Sequence, residues 1–491
     1  MKKIFLVISV SILLFAVSCS VGPDYVRPDI EIPDSTILMQ DYTIEDSLAL
    51  ALADTTWWEL FGDTVLTYLI KTAVQENNDI KIAAARVDQY MGLYGVEKSN
   101  YYPKFDAGAS GRVGEYNVDG VKFRSERYTL DLSAFWEIDI WGKIRRANEA
   151  ALADLLNVEE VRRGVILSIT SLIANNYFDL LSLDAQLEIA NRTVDSRAKS
   201  LDLFQQRKNK GDISQLEISQ LESEYWYAKS QIPFLEKNII QLENAICVLL
   251  GRNPGPIPRG QLINNLILPD IPESLPSTLL ERRPDVLGAE QQLIAANARI
   301  GVVKSLYFPS LSLTGLLGFS NSDVAKLFEP SSFVWNAGGS LLAPLFRAGE
   351  ISSQVESAEA IQRQAFFNYI KSVQTAFSDA QNALVERKKT EEIYSSDGKR
   401  LDALQTYYNL ATMKYNEGAT SYLEVLDAER NLFDSELGYV QSRATLMKSA
   451  VGIFSSLAGG WLDKTVYDSY QPMNPVYEQS EDEQTSETDN E

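Results

Sequence analysis

Two carboxylates one helical turn apart, Glu424 and Asp427, follow Gly418, and Tyr415 precedes that glycine by three residues. An i, i+3 spacing puts both acids on one helix face. Glu217 takes the corresponding place after Gly211. The 491 residues include no histidine, the commonest general base, proton shuttle and transition-metal ligand. Histidine triads, HExxH zinc sites and facial triads are therefore excluded. The sequence shows no nucleophile–base constellation, no metal-ligand cluster and no cofactor motif, which argues against an enzyme. Two readings remain for the carboxylates: solvated acids on a coiled-coil surface, or charges gathered around a narrow passage.

The elements that must carry these residues come in two copies. Tyr101-Tyr102-Pro103 opens one alternating stretch, and Leu306-Tyr307-Phe308-Pro309 opens another about 206 residues later. Gly211-x-x-Ser214-x-Leu216-Glu217 recurs as Gly418-x-x-Ser421-x-Leu423-Glu424. Apolar residues at 3-4 spacing run from Ile166 to Phe204, interrupted at Asn176 and Arg197, and resume from Leu221 to Leu249. The second copy repeats the seam from Leu423 to Phe454, broken by Arg430. Sustained heptads of this length mean coiled-coil packing. A helix from Gly142 to Lys208 is predicted, roughly 100 Å long at 1.5 Å per residue. Gly211 and Gly418, each followed by Ser or Thr N-caps, mark tight turns between paired helices. A shorter helical segment is predicted from Asp63 to Ser99, with Leu66, Leu69, Ile70 and Ala73 on one face.

Between the helices the period falls to two. Phe105, Ala107, Ala109 and Val113 alternate with polar residues, and after a polar loop Tyr128 to Ile140 does so again. Leu311, Leu313, Leu317 and Phe319 share one face of a third strand, and Phe333 to Leu345 one face of a fourth. Such strands exceed the usual globular length and place aromatic residues near their ends. Residues 251–276, with six prolines, form a linker between the copies, and the tail over residues 466–491 is acidic and expected to be disordered.

The beginning of the chain reads as an export signal. Lys2-Lys3 precedes an apolar run from Ile4 to Phe15, over residues 1–18, and Ala16-Val17-Ser18-Cys19 resembles a bacterial lipobox with Cys19 as the acylated, palmitate-bearing residue. A tether and equatorial segment occupies residues 19–62. Cys247, beside Ile246 and Val248, reads as a small core hydrophobe, so modification of Cys19 leaves no disulfide framework. The formal charge of −22 argues against nucleic acid as a partner, because its backbone would be repelled.

Four strands cannot close a barrel, yet lipid leaves no open strand edge unpaired. Several chains must pool strands, and three chains supplying twelve is the economical solution. The residues then match a family. Cys19-Ser-Val-Gly-Pro-Asp-Tyr-x-Arg-Pro28, the Trp57-Trp58, Phe61, Leu66, Asn77 and Ala85-Arg86 set, Glu281-Arg-Arg-Pro-Asp285 with Ala289-Glu290, and Tyr307-Phe-Pro-Ser-Leu311 resemble the TolC-like outer membrane efflux factors, lipoprotein branch. The resemblance covers about residues 19 to 465.

It implies an α+β membrane protein: a trimeric, twelve-stranded outer-membrane β-barrel continued by a coiled-coil α-helical tunnel in the periplasm. Residues 63–250 and 277–465 would be its two repeats. The chain would be the exit duct of a tripartite efflux system, with no cofactor or metal of its own. Its partners would be a periplasmic membrane-fusion adaptor, an inner-membrane pump of RND type and outer membrane lipids. By the same resemblance Tyr415, Glu424 and Asp427, with Glu217 on the first tip, form the periplasmic gate. Three chains would gather six carboxylates in one neck, a cation-attracting arrangement. An arginine that TolC carries just after this glycine is replaced by Thr420, so the resemblance stops short of that salt-bridge latch. The competing reading is a soluble or peripheral periplasmic coiled-coil scaffold lipoprotein.

Overall fold

The computed structural model describes residues 20–29, 56–211, 213–270 and 282–457. The proposed signal peptide, Cys19 and the acidic tail lie outside the described residues, as does Glu281 of the Glu-Arg-Arg-Pro-Asp motif.

The chain divides into two compact units. Among the described residues the first comprises 20–29, 86–159 and 288–371, and the second 56–85, 160–211, 213–270, 282–287 and 372–457. In chain order the elements are α1 (Thr64–Glu76), α2 (Asn78–Ser99), β1 (Lys104–Val118), β2 (Val121–Ile138), α3 (Lys143–Asn209), α4 (Gln215–Leu249), α5 (Pro284–Lys304), β3 (Ser310–Asn321), β4 (Phe333–Leu342), α6 (Glu350–Asn416) and α7 (Tyr422–Ser456). The long helix expected from Gly142 to Lys208 is α3, and its repeat is α6, also of 67 residues.

In the first unit the strands form one antiparallel meander, β1-β2-β3-β4. The register aligns Ala109 with Leu130 and Ala107 with Leu132, then Leu130 with Phe319, Leu132 with Leu317, and Leu317 with Trp335. Most apolar residues of the four strands therefore share one face, and Asp106, Ser133, Ser312 and Ser340 the other, where Phe135 and Leu316 are apolar exceptions. Trp335 is 70% exposed on the apolar face. A soluble sheet would cover that surface; a sheet facing lipid would not. β1 and β4 each pair on one side only within the chain, leaving two open edges.

Two expectations for these strands need correction. The polar loop between the first two is instead a continuous hairpin that turns at Asp119-Gly120, with φ of 51° and 82°. Positive φ at both central residues is the tight hairpin turn that Asp-Gly favours. β4 stops at Leu342 rather than Leu345, because Pro344 has no N–H to continue the ladder.

An N-terminal strap and the internal motif meet in the same unit. The Tyr25 hydroxyl donates to Glu290 Oε1 at 3.0 Å, and Arg27 Nε lies 3.2 Å from the same oxygen. Arg146 on α3 pairs with Asp24 at 2.5 Å.

The core of the second unit gathers Trp57, Phe61, Leu66, Ile70, Ile173, Phe178, Ile246 and Phe454. Here the predicted single helix over 63–99 is two. Asn77 breaks it by accepting from Asp79 N and Ile80 N, capping α2, while its Nδ2 donates to Leu249 O at 2.8 Å. In the described part of the proline-rich linker, Arg259 bonds Asp184 and Glu243, and Gln261 N donates to Asp63 Oδ2. Arg283 of the internal motif bonds Asp285, Asp379 and the Ser456 carbonyl, tying α5 to α6 and α7. Cys247 is fully buried, with its Sγ donating to Gly255 O.

Candidate functional site

The site is built on two helix–turn–helix tips in the second unit. Each turn passes through a glycine in the left-handed region, Gly211 at φ 89° and Gly418 at φ 74°, which a β-carbon disfavours. Under the turns, Phe204, Ile218, Leu221, Tyr422, Val425 and Leu426 form a closed apolar cluster. Burial, with Glu429 near by, pushes the Tyr422 phenol up to about 12.

Tyr415 sits at the edge of that cluster. Its ring meets Tyr422 edge-on at 5.0 Å and stacks on Phe204 at 6.2 Å, and its hydroxyl accepts from Arg207 Nη1 at 3.2 Å. The phenol thus bridges the end of α6 to the end of α3. Glu424 and Asp427 lie one turn apart on α7, with Val425, Leu426 and Ala428 buried beside them. Thr420 Oγ1 donates to Glu424, and Asp427 accepts from Arg430 at 2.6 Å and from Asn431 at 3.1 Å. Both acids line a groove of about 530 Å³ beside α4, with Gln220 and Glu224 across it.

Glu217 is used differently. Its carboxylate accepts from Ser214 N at 2.8 Å while Glu217 N donates to Ser214 Oγ, so it closes a capping box at the start of α4. The acid is a helix-start residue first.

One group escaped the sequence reading. Arg197, noted only as an interruption of the heptad seam, is 1% exposed and pairs with Glu224 at 3.3 Å and Glu429 at 3.4 Å. Its guanidinium also lies 5.3 Å from the Phe433 ring centre. Burial raises the pKa of Glu429 above the ordinary carboxylate range, against the pull of Arg197. The signal was present: a cation at a seam position must find acids there, and Glu429 belongs to the repeated tip motif.

Among the described residues no group of acids and cysteines is arranged to hold a metal ion.

The outer membrane efflux protein family model matches residues 69–252 and 275–459, one match for each copy of the repeat. The chain belongs to the outer membrane efflux protein family. It is 31% identical over 455 residues to the solvent efflux pump outer membrane protein SrpC of Pseudomonas putida, covering 91% of this chain and 97% of the relative. It is 31% identical over 452 residues to the cation efflux system protein CusC of Escherichia coli O6:H1, covering 92% and 97%. A crystal structure of CusC superposes with a TM-score of 0.81 at 30% identity, covering 90% of this chain and all of that one.

This efflux protein is an outer membrane channel. Its fold is the trimeric one, a twelve-stranded barrel with four strands from each chain and a helical tunnel. The open edges of β1 and β4 are closed by neighbouring chains. A soluble scaffold is thereby set aside.

Proposed function

We propose that the second tip is the periplasmic gate of this efflux channel, with Glu424 and Asp427 as its charged lining and Tyr415 as its closing contact. One observation supports the reading above others: both carboxylates face one open groove, with Leu423 and Leu426 in its wall, while Val425 and Ala428 are buried. Gathered three-fold, the acids attract cations and repel one another, and water fills the neck between them. Tyr415 holds α6 against α3 through Arg207, so release of that contact widens the neck. Glu217 contributes by keeping the first tip folded.

We further infer that Cys19 is acylated, that a periplasmic adaptor and an inner-membrane pump of RND type engage the tunnel, and that the pump chooses the cargo. The equal identity to a solvent channel and a cation channel supports the last point.

Single-channel recording tests the closing contact. Tyr415→Phe removes only the hydroxyl that accepts from Arg207 and should raise conductance severalfold; an unchanged conductance contradicts the assignment. For the anchor, Cys19→Ala should abolish incorporation of a palmitate analogue, whereas continued labelling would place the lipid elsewhere.

A further inference from the structure

The first hairpin outlives its sheet. β3 pairs with β2 only as far as Tyr128, opposite Asn321. Beyond that level residues 112–118 and 121–127 pair only with each other within the chain, as a two-stranded ribbon. At ~3.3 Å per residue it stands roughly 20 Å clear, long enough to lean over the barrel mouth. Its turn lies at the end of the strands away from α2 and α3, hence on the extracellular side.

The alternation inverts along this ribbon. Within the sheet, Phe105, Ala107, Ala109, Leu130, Leu132 and Trp136 share the lipid face, while Ser110 and Thr129, hydrogen-bonded at 2.8 Å, share the lumen face. In the ribbon the outer face becomes charged. Glu115 lies opposite Arg124 and 3.5 Å from Lys122, and Arg124 pairs with Glu126 at 2.5 Å. The lumen-side face, which begins with Arg112 opposite Arg127 and Gly114 opposite Ser125, becomes aromatic at its tip: Tyr116 lies opposite Phe123 with the rings stacked at 5.8 Å, and Val121 follows on the same side. Tyr116 is 54% and Phe123 45% exposed in the single chain.

Leaving the hydrocarbon explains the charged outer face, because that face returns to water. It does not explain greasy rings on the side toward an aqueous exit. The second hairpin shows no such inversion. Its Phe319 meets Phe328 at 5.7 Å and Phe333 at 5.8 Å, and Phe319 and Phe333 stay on the lipid-facing side.

We propose that the Tyr116–Phe123 pairs of the three chains meet one another over the extracellular mouth and form an apolar constriction at the exit of the channel. The occupant of each aromatic face is thus a second copy of the same ribbon. Continuity supports this choice: β1, one strand of the ribbon, is also an edge at which the barrel closes against the next chain. Rotational symmetry then brings three identical faces toward one axis. Burial of aromatic surface favours their contact. An apolar ring in a water-filled exit restricts ions by dewetting, separately from any charge at the periplasmic end.

Cross-linking in the assembled trimer tests it. Tyr116→Cys, oxidised with copper phenanthroline in outer membranes, should give a covalent dimer between chains. Asn117→Cys, on the charged face, should react with an impermeant maleimide and give no dimer. Full maleimide labelling of Tyr116→Cys without a dimer overturns the proposal, as does equal cross-linking at both positions. Should Tyr116→Cys fail to assemble, Phe123→Cys takes its place with the same outcomes. The Tyr116→Ala/Phe123→Ala pair should raise conductance at least twofold in channels that remain heat-resistant trimers; wild-type conductance would contradict the constriction.

Discussion

The two tips are copies that share a backbone and divide the labour of their side chains. Ser214 and Ser421 start their helices in the same geometry, φ −79° and ψ 158° against φ −81° and ψ 157°. On the first tip the side chains serve the turn itself: Ser214 and Glu217 satisfy one another in a capping box. On the second, Ser421 makes no side-chain cap, and Glu424 at Glu217's position bonds Thr420 instead. Gln220 of the first copy becomes Asp427 of the second. Tyr415 replaces Lys208, which on the first tip bonds Gln215. Duplication thus fixes where the chain turns, and divergence decides which copy spends its acid on folding.

The largest test of that division lies where the copies are joined. Arg197 of the first copy is held by Glu224 of the same copy and Glu429 of the second. Arg197→Ala leaves two half-buried acids facing each other without their buried cation, and removing one partner from a buried ion pair costs about 3–5 kcal/mol. The variant should lose its heat-resistant trimer well below the wild-type temperature. A wild-type melting profile would show that the two copies are not coupled through this cation.

A smaller effect separates the tips directly. Ser214→Ala should destabilise the tip by about 1 kcal/mol, since it removes a formed N-cap. Ser421→Ala should change stability by less than about 0.5 kcal/mol, as surface substitutions away from such features do. Hydrogen exchange in α4 and α7 reads both, and equal effects would erase the distinction.

Much of this was legible in the sequence because the informative signals are periodic. Heptads marked α3, α4 and α7, the duplication implied α6, and a period of two marked the strands, since each pattern reflects a single buried or lipid-facing side. The glycine tips were legible from their repetition. What escaped depended on pairing across the chain. The hairpin of residues 104–138 read as two strands and a loop because its outer part has no second sheet neighbour and its alternation inverts, so no face stays apolar throughout. Asn77 read as one more residue of a helix, although its side chain caps a new one and bonds a carbonyl 172 residues away. Glu217 and Glu424 looked equivalent by spacing, and only the side-chain bonds distinguish them. Arg197 was visible as a flaw in a seam; its meaning required the acids on two other helices.

The most direct test compares the carboxylates of the two tips in one measurement, the reversal potential of single channels in a salt gradient. Channels carrying Glu424→Gln and Asp427→Asn should lose most of their cation preference and their block by periplasmic divalent ions, because ring charge sets both. Channels carrying Glu217→Gln should keep the wild-type reversal potential, since that acid serves the cap. If the double variant retains wild-type selectivity, or if Glu217→Gln abolishes it, the second tip is not the charged neck and the assignment of duties between the copies is wrong.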